Sequence, residues 1–462
     1  MESILIEHGL VVTLDGRRNV IRDGAVMIEG SRITDVGKSD ELHRKHAPEH
    51  TIDASHRLVM PGFIDCHVHL AQALIRGCAD DVSLLDWLGK YVWPLQGNYD
   101  AEDGRVSAEL CMLEMIRSGT TSFIESMTHT RYGFDGIAEA LEQSGMRGCL
   151  AKTIMDMPAY GRKQMMYEGM IEDGETSLAE TIAMYDRWNG KANGRIGVWF
   201  GPRSLGACSK NLYEKIAQEA AKRKAGITMH LCEVKEDLRY ARRKFKKSPV
   251  AFANEVGLLT PRTVLAHVVW LTDHDIATLS KTRANVCHCP SSNTKLASGI
   301  ARVPEMLKKG VNVTLGCDGG PSNNSYDIIR EMKLAACIHK ARLLDPMTMP
   351  AETVLKMATV RGARAMGVGD KLGTLEPGKL ADLALVNLDS VHMVPNNNHV
   401  SDLVYAGCGT DVDTVIIDGK IIMENRNVKT LNEREVIRQA RERATALLER
   451  TGLKLTTHSN YS

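Results

Sequence analysis

The chain lacks any apolar run long enough to cross a bilayer, so a helical membrane protein is excluded. It also lacks a charge imbalance. The formal net charge is +1, and neither nucleic acid nor an anionic membrane is expected as the main partner. The stretch Met1 to Glu7 carries acid where a secretory signal carries base, so a cytoplasmic location is expected. No internal repeat and no low-complexity segment is visible. The 11 cysteines are odd in number and fall mostly inside expected strands and helices. That pattern suits buried thiols in a reducing compartment and argues against a disulfide framework.

What is present is the composition of an ordinary globular protein, 43% apolar and 25% charged. At 462 residues, two or three domains are expected. Residues 1–58 read as short strands broken by Asp15-Gly16, Asp23-Gly24 and Glu29-Gly30. They are too few to bury a core alone. Residues 59–370 alternate strand and helix, with strand ends expected at His69, Glu125, Lys152, Phe200, Glu233, His267, Cys289 and Asp318. Helix starts are expected at a capping box, Ser177 to Glu180, and at Ser248-Pro249. Eight strand–helix units predict a (β/α)8 TIM-like barrel. Residues 371–462 return to strands and end in a charged helix. The two β-rich ends are expected to pair as one small β-sandwich beside the barrel.

The segment Phe63-Ile64-Asp65-Cys66-His67-Val68-His69 organises the rest. Histidines two apart on a strand share a face. In such barrels the reactive groups gather at the C-terminal strand ends. Those ends supply His67, His69, His230 with Glu233 three residues on, His267 and Asp318. Imidazoles and a carboxylate converging from four strands are what a catalytic divalent metal requires. Any one of these residues alone reads as an ordinary buried histidine or a turn aspartate; the set does not.

These segments resemble the amidohydrolase superfamily, in the branch holding the triazine hydrolases and the methylthioadenosine/S-adenosylhomocysteine deaminases. The resemblance rests on Pro61 to His69, His230-Leu231-Cys232-Glu233, Leu265-Ala266-His267, Leu315 to Gly319, Ser322 to Ser325 and Gly373 to Asp382. It implies one divalent metal per subunit, Zn2+ before Fe2+, held by His67, His69, His230 and Asp318. It implies Glu233, His267 and Asp318 as catalytic groups and a homo-oligomeric assembly. The fourth strand, Ile196 to Gly201, has no lysine to bridge two metals, which favours the single-metal deaminase type. Expected substrate contacts are Gln72 and Trp87 from the first loop, Glu125, Lys152 and Arg203 from strands 2 to 4, and His288 and Asn293 from the seventh. Arg203 stands where the nucleoside deaminases carry a ribose-contacting histidine. The expected function is deamination of an amino-substituted nitrogen heterocycle: a purine or nucleoside, pterin, pyrimidine or s-triazine. The alternatives are displacement of another leaving group, such as chloride from a triazine, and a non-catalytic scaffold. No ligand is missing from the set, which argues against the scaffold.

Overall fold

A computed structural model describes residues 3–17, 19–157 and 167–455. Its centre is a parallel sheet whose neighbours follow chain order: Phe63–His69, Thr120–Thr128, Arg147–Ile154, Ile196–Pro202, Ile227–Leu231, Thr263–His267, Asn285–His288 and Val313–Leu315. The eighth strand is in two pieces. Val313–Leu315 pairs with the seventh strand, and Asp318–Gly319 pairs with the first through Asp318↔Val68 and Gly319↔His69. Both edges of the sheet are therefore consecutive stretches of one segment, and the ring closes as a barrel. The break needs glycine. A Cβ on Gly316 would lie 2.6 Å from Cys287 Sγ and 2.8 Å from His67 Cβ. The buried Asp65 carboxylate stitches the break by accepting from the backbone N–H of Cys317 at 3.2 Å and of His67 at 3.0 Å.

The first three barrel strands are buried at every position, as expected where side chains meet barrel interior on one face and helices on the other. Ile64, Ile124, Ala151, Trp199, Val264 and Cys287 form one apolar cluster that packs against the helix Val360–Ala365. Strand 2 runs past Glu125 to Thr128, strand 3 past Lys152 to Ile154, and strand 5 stops at Leu231, so Glu233 lies in the loop beyond. Ser248 caps its helix as expected, accepting from Ala251 N with Pro249 behind it. Ser177 does not cap. The helix begins at Gly174 under Asp173, and the Ser177 hydroxyl bonds the buried Lys152 ammonium instead.

The two chain ends form one continuously hydrogen-bonded sheet. Arg57–Pro61 is its joint, parallel to Ser3–Val12 and antiparallel to Leu383–Asn387. Ile4, Ile28 and Val59 from the first end share a core with Leu383 and Ile416 from the second. Residues 59–61, expected to open the barrel, thus belong to the small sheet. The last helix, Glu433–Thr451, lies on the barrel helix Ala101–Arg117, where Arg443 meets Asp103 at 2.7 Å. No helix among the described residues is long and apolar enough to cross a membrane. All 11 cysteines are free, and nine are buried.

Candidate metal centre and substrate cavity

His67, His69, His230 and Asp318 meet at the barrel mouth, with one potential ligand atom from each inside a 4.8 Å span. Asp318 Oδ1 lies 3.0 Å from His69 Nε2 and 3.3 Å from His67 Nε2. His69 Nε2 and His230 Nε2 face each other at 3.2 Å. Their outer nitrogens are committed elsewhere: His69 Nδ1 donates to the Ser126 carbonyl, and His230 Nδ1 donates to that of Arg203 at 2.9 Å. Those bonds fix the tautomer that leaves both Nε2 lone pairs pointing inward. Two opposed lone pairs repel unless something positive lies between them. His67 sharpens the point, because both ring nitrogens are buried without a hydrogen bond of acceptable geometry. An unmet buried polar group costs about 1–3 kcal/mol. Neutral imidazoles and one carboxylate suit a divalent cation with a position left for water.

The electrostatics agree. Burial lowers the His67 pKa to about 4 and drives that of His230 well below the ordinary value, so both stay neutral and ligand-competent. Burial opposes ionisation of Asp318, yet the adjacent His67 and His69 imidazoles hold its carboxyl well below the usual range. Its second oxygen accepts from Ser292 at 2.5 Å and Ser322 at 3.0 Å. Backbone strain gathers here too. His267 (φ +70°), Asp318 (φ +68°) and Cys232 (φ +54°) are all left-handed without being glycine, and such outliers cluster at functional sites.

Glu233 and His267 stand beside the cluster, Glu233 Oε2 being 3.7 Å from His267 Nε2. The other His267 nitrogen is held by Asn293 Oδ1 at 3.0 Å. Burial raises the Glu233 pKa, with His267 pulling the other way and the Asp318 charge adding to the rise. Asp237 fixes the Glu233 backbone by accepting from its N–H at 2.8 Å.

A cavity opens over these groups. Its polar wall includes Gln72, Arg203, Glu233 and His267, and its apolar wall includes Leu84, Trp87, Leu88, Trp93, Met127, Met157 and Leu296. Gln72, Trp87 and Arg203 were expected there. Trp87 is held by its indole N–H on the Pro321 carbonyl at 3.3 Å, and the Arg203 guanidinium lies 4.7 Å from the Trp93 ring centre. Four expected contacts do not line the cavity. Glu125 is buried against Thr128, which donates to it at 2.7 Å. Lys152 is buried in a network with Glu172 and Ser177. His288 faces away and pairs with His339 at 3.2 Å between Nε2 atoms. Asn293 acts one layer back, through His267. Trp93, Met127 and Met157 were not foreseen: Trp93 opens the short helix Trp93–Gln96, Met127 sits at φ +97° in a register shift near the end of strand 2, and Met157 follows strand 3, so no regular periodicity marks an inward face.

A parallel barrel with an imidazole–carboxylate cluster at its C-terminal mouth, an acid beside it and a lined cavity above defines a metal-dependent hydrolase. The chain belongs to the amidohydrolase family, whose model matches residues 58–422. It is 38% identical over 450 residues to a 5-methylthioadenosine/S-adenosylhomocysteine deaminase of Pelotomaculum thermopropionicum, covering 97% of this chain and 100% of that one. It is 39% identical over 450 residues to a 5'-deoxyadenosine deaminase of Methanosarcina acetivorans, covering 97% and 99%. Among solved structures it resembles an adenosine deaminase from Xanthomonas campestris with bound zinc, at TM-score 0.90 and 28% identity, covering 96% and 98%.

Proposed function

We propose that this chain is a mononuclear aminohydrolase that replaces the exocyclic amino group of an adenine nucleoside by an oxo group. The observation that carries the reading is Glu233, an acid placed beside His267 and the four-residue cluster in a cavity walled by aromatic and methionine side chains. The curated relatives, matched along their whole length, support the nucleoside class. Zinc is the proposed metal, since the bound ion named for the Xanthomonas structure is zinc.

His67, His69, His230 and Asp318 would hold a divalent cation, which would supply Lewis acidity that makes an attacking water easier to deprotonate near neutral pH. Asp318 accepts a proton from the attacking water. His267, oriented by Asn293, positions that water through Nε2. Glu233 donates a proton to the ring nitrogen next to the attacked carbon, so that negative charge does not build up there. The carbon becomes tetrahedral. Glu233, now a carboxylate, takes the proton of the new hydroxyl as the C=O bond forms and delivers it to the amino group; the C–N bond breaks, ammonia leaves, and the proton held by Asp318 returns to Glu233. The flat apolar wall from Trp87, Trp93 and Leu296 holds the ring, and Arg203 meets an acceptor on the substrate.

The test is ammonia release from the zinc-loaded enzyme. The panel is adenosine, 5'-deoxyadenosine, methylthioadenosine and S-adenosylhomocysteine, set against guanine, an aminopterin and an amino-triazine. The highest kcat/KM is expected on an adenine nucleoside. A preference of tenfold or more for one of the other classes overturns the nucleoside assignment, and no ammonia from any compound overturns deamination. A cytoplasmic location and a homo-oligomer belong to the same reading; size-exclusion chromatography with light scattering checks the second.

A further inference from the structure

A second group of metal-binding side chains lies outside the barrel mouth and shares no residue with it. We propose that His392, Cys408 and Asp411 form an additional divalent-cation site, suited to a thiophilic transition metal such as zinc. His392 lies between the strand Leu383–Asn387 and the helix His399–Tyr405. Cys408 and Asp411 lie at the two ends of one tight turn, Gly409–Asp411, just before the strand Val412–Ile417.

The three donor atoms face one point. His392 Nε2 is 2.8 Å from Asp411 Oδ2, Cys408 Sγ is 3.4 Å from the same oxygen, and Cys408 Sγ is 3.9 Å from His392 Nε2. Ligands of a tetrahedral zinc ion, with bonds of about 2.0–2.3 Å, stand roughly 3.3–3.8 Å apart. Only the His–Asp edge has to open, by about half an ångström. One thiolate, one imidazole and one carboxylate are donors that zinc accepts together.

The arrangement does not fit a nucleophilic triad. There the carboxylate meets the imidazole nitrogen opposite the nucleophile. Here Asp411 approaches Nε2, the nitrogen that faces Cys408, which is how ligands converge and not how a proton is relayed. The carboxylate is preset: Ser390 Oγ donates to its other oxygen at 2.7 Å, and Cys408 N donates to Oδ2 at 2.9 Å. Such outer partners orient a ligand before the ion arrives. Access is open, because the His392 side chain is 45% exposed while that of Asp411 is only 2% exposed. The thiol donates to Asp411 when no ion is bound, so binding releases the Cys408 proton to solvent as the metal–sulfur bond forms. An ion here clips the loop carrying His392 to the turn carrying Cys408. Gly409 N in that turn donates to Asp327 Oδ2 at 2.8 Å, and Asp327 caps the barrel helix Ile328–Leu343, so the clip tightens the seam between barrel and small sheet.

The test uses the full-length enzyme with its catalytic site already loaded with zinc. Titration with Co2+ should reveal a further equivalent with a thiolate-to-cobalt charge-transfer band in the near ultraviolet. The catalytic cluster contains no cysteine, so it cannot supply that band. Cys408→Ser should remove the band, and His392→Ala should weaken binding at least tenfold; both should keep deaminase activity. Zn2+ should raise the melting temperature of the wild type and not that of Cys408→Ser. No thiolate band, or a band that persists in Cys408→Ser, overturns the proposal. A variant that misfolds is recognised by its metal-free melting curve, and the other then decides.

Discussion

Two sets of polar side chains occupy the upper parts of barrel strands, and they have opposite fates. His67, His69, His230, His267 and Asp318, from strands 1, 5, 6 and 8, converge on one point. Glu125, Lys152 and His288, from strands 2, 3 and 7, are just as buried, yet each closes a local contact with Thr128, Glu172 or His339. Height along a strand is therefore not enough to make a site. A strand turns alternate side chains to opposite faces, and only the inward one reaches the cavity. The second set holds the barrel wall together; the first lines the candidate metal centre.

That division can be broken experimentally. The largest effect belongs to Glu233→Gln, which keeps the shape and removes the transferable proton. Its kcat should fall by about 10^2–10^4-fold, while metal analysis still finds the catalytic ion; loss of the ion instead would make Glu233 a ligand. Next is Ser292→Ala, which frees one oxygen of Asp318. Metal affinity or kcat should drop by about 10–100-fold, read by chelator competition and steady-state rates, and an unchanged enzyme would show that Ser322 suffices. Lys152→Met should leave kcat of the folded enzyme unaltered and cost about 3–5 kcal/mol in stability, because Glu172 loses its buried partner. Denaturant melts measure this, and a selective loss of kcat would return Lys152 to the site.

The smallest effect is a slope. Burial raises the Glu125 pKa from 4.5 to about 8. The folded state then holds a proton that the unfolded state has released, so Glu125 lowers stability progressively as pH rises from 4.5 toward 8, by up to about 1.4 kcal/mol per pH unit. Glu125→Gln should flatten that part of the melting-temperature profile. A wild-type slope that survives the substitution would place its origin elsewhere.

The barrel and the joining of both chain ends were legible in the sequence, although the sandwich expected there is one nine-stranded sheet, and the four residues that meet at the barrel mouth were each marked as candidates. Alternating strand and helix patterns, the two-residue spacing of His67 and His69, and acids or histidines at strand ends leave local marks. The cavity wall was not legible, because Trp93 sits in a four-residue helix, Met127 at a register shift in strand 2 and Met157 just past strand 3, where neither helix nor strand periodicity assigns a face. Nor was the misassignment of Glu125 and Lys152 avoidable by spacing, since their strands run two or three residues further than expected. Ser177 reads as a cap in sequence and serves Lys152 in space. Asp65, between the motif's glycine and its histidines, acts by stitching the split eighth strand, a role visible only once Cys317 is seen opposite it.

That split carries a consequence. The barrel's last pairing with its first strand is made by Asp318 and Gly319, so the protein's circumference is completed by the segment whose Asp318 also completes the proposed metal centre. Emptying the centre and loosening the hoop are then one event. Amide exchange at Val68 and Gly319 should quicken when the cation is chelated, while the far side of the hoop, at Leu150 and Val198, keeps its protection.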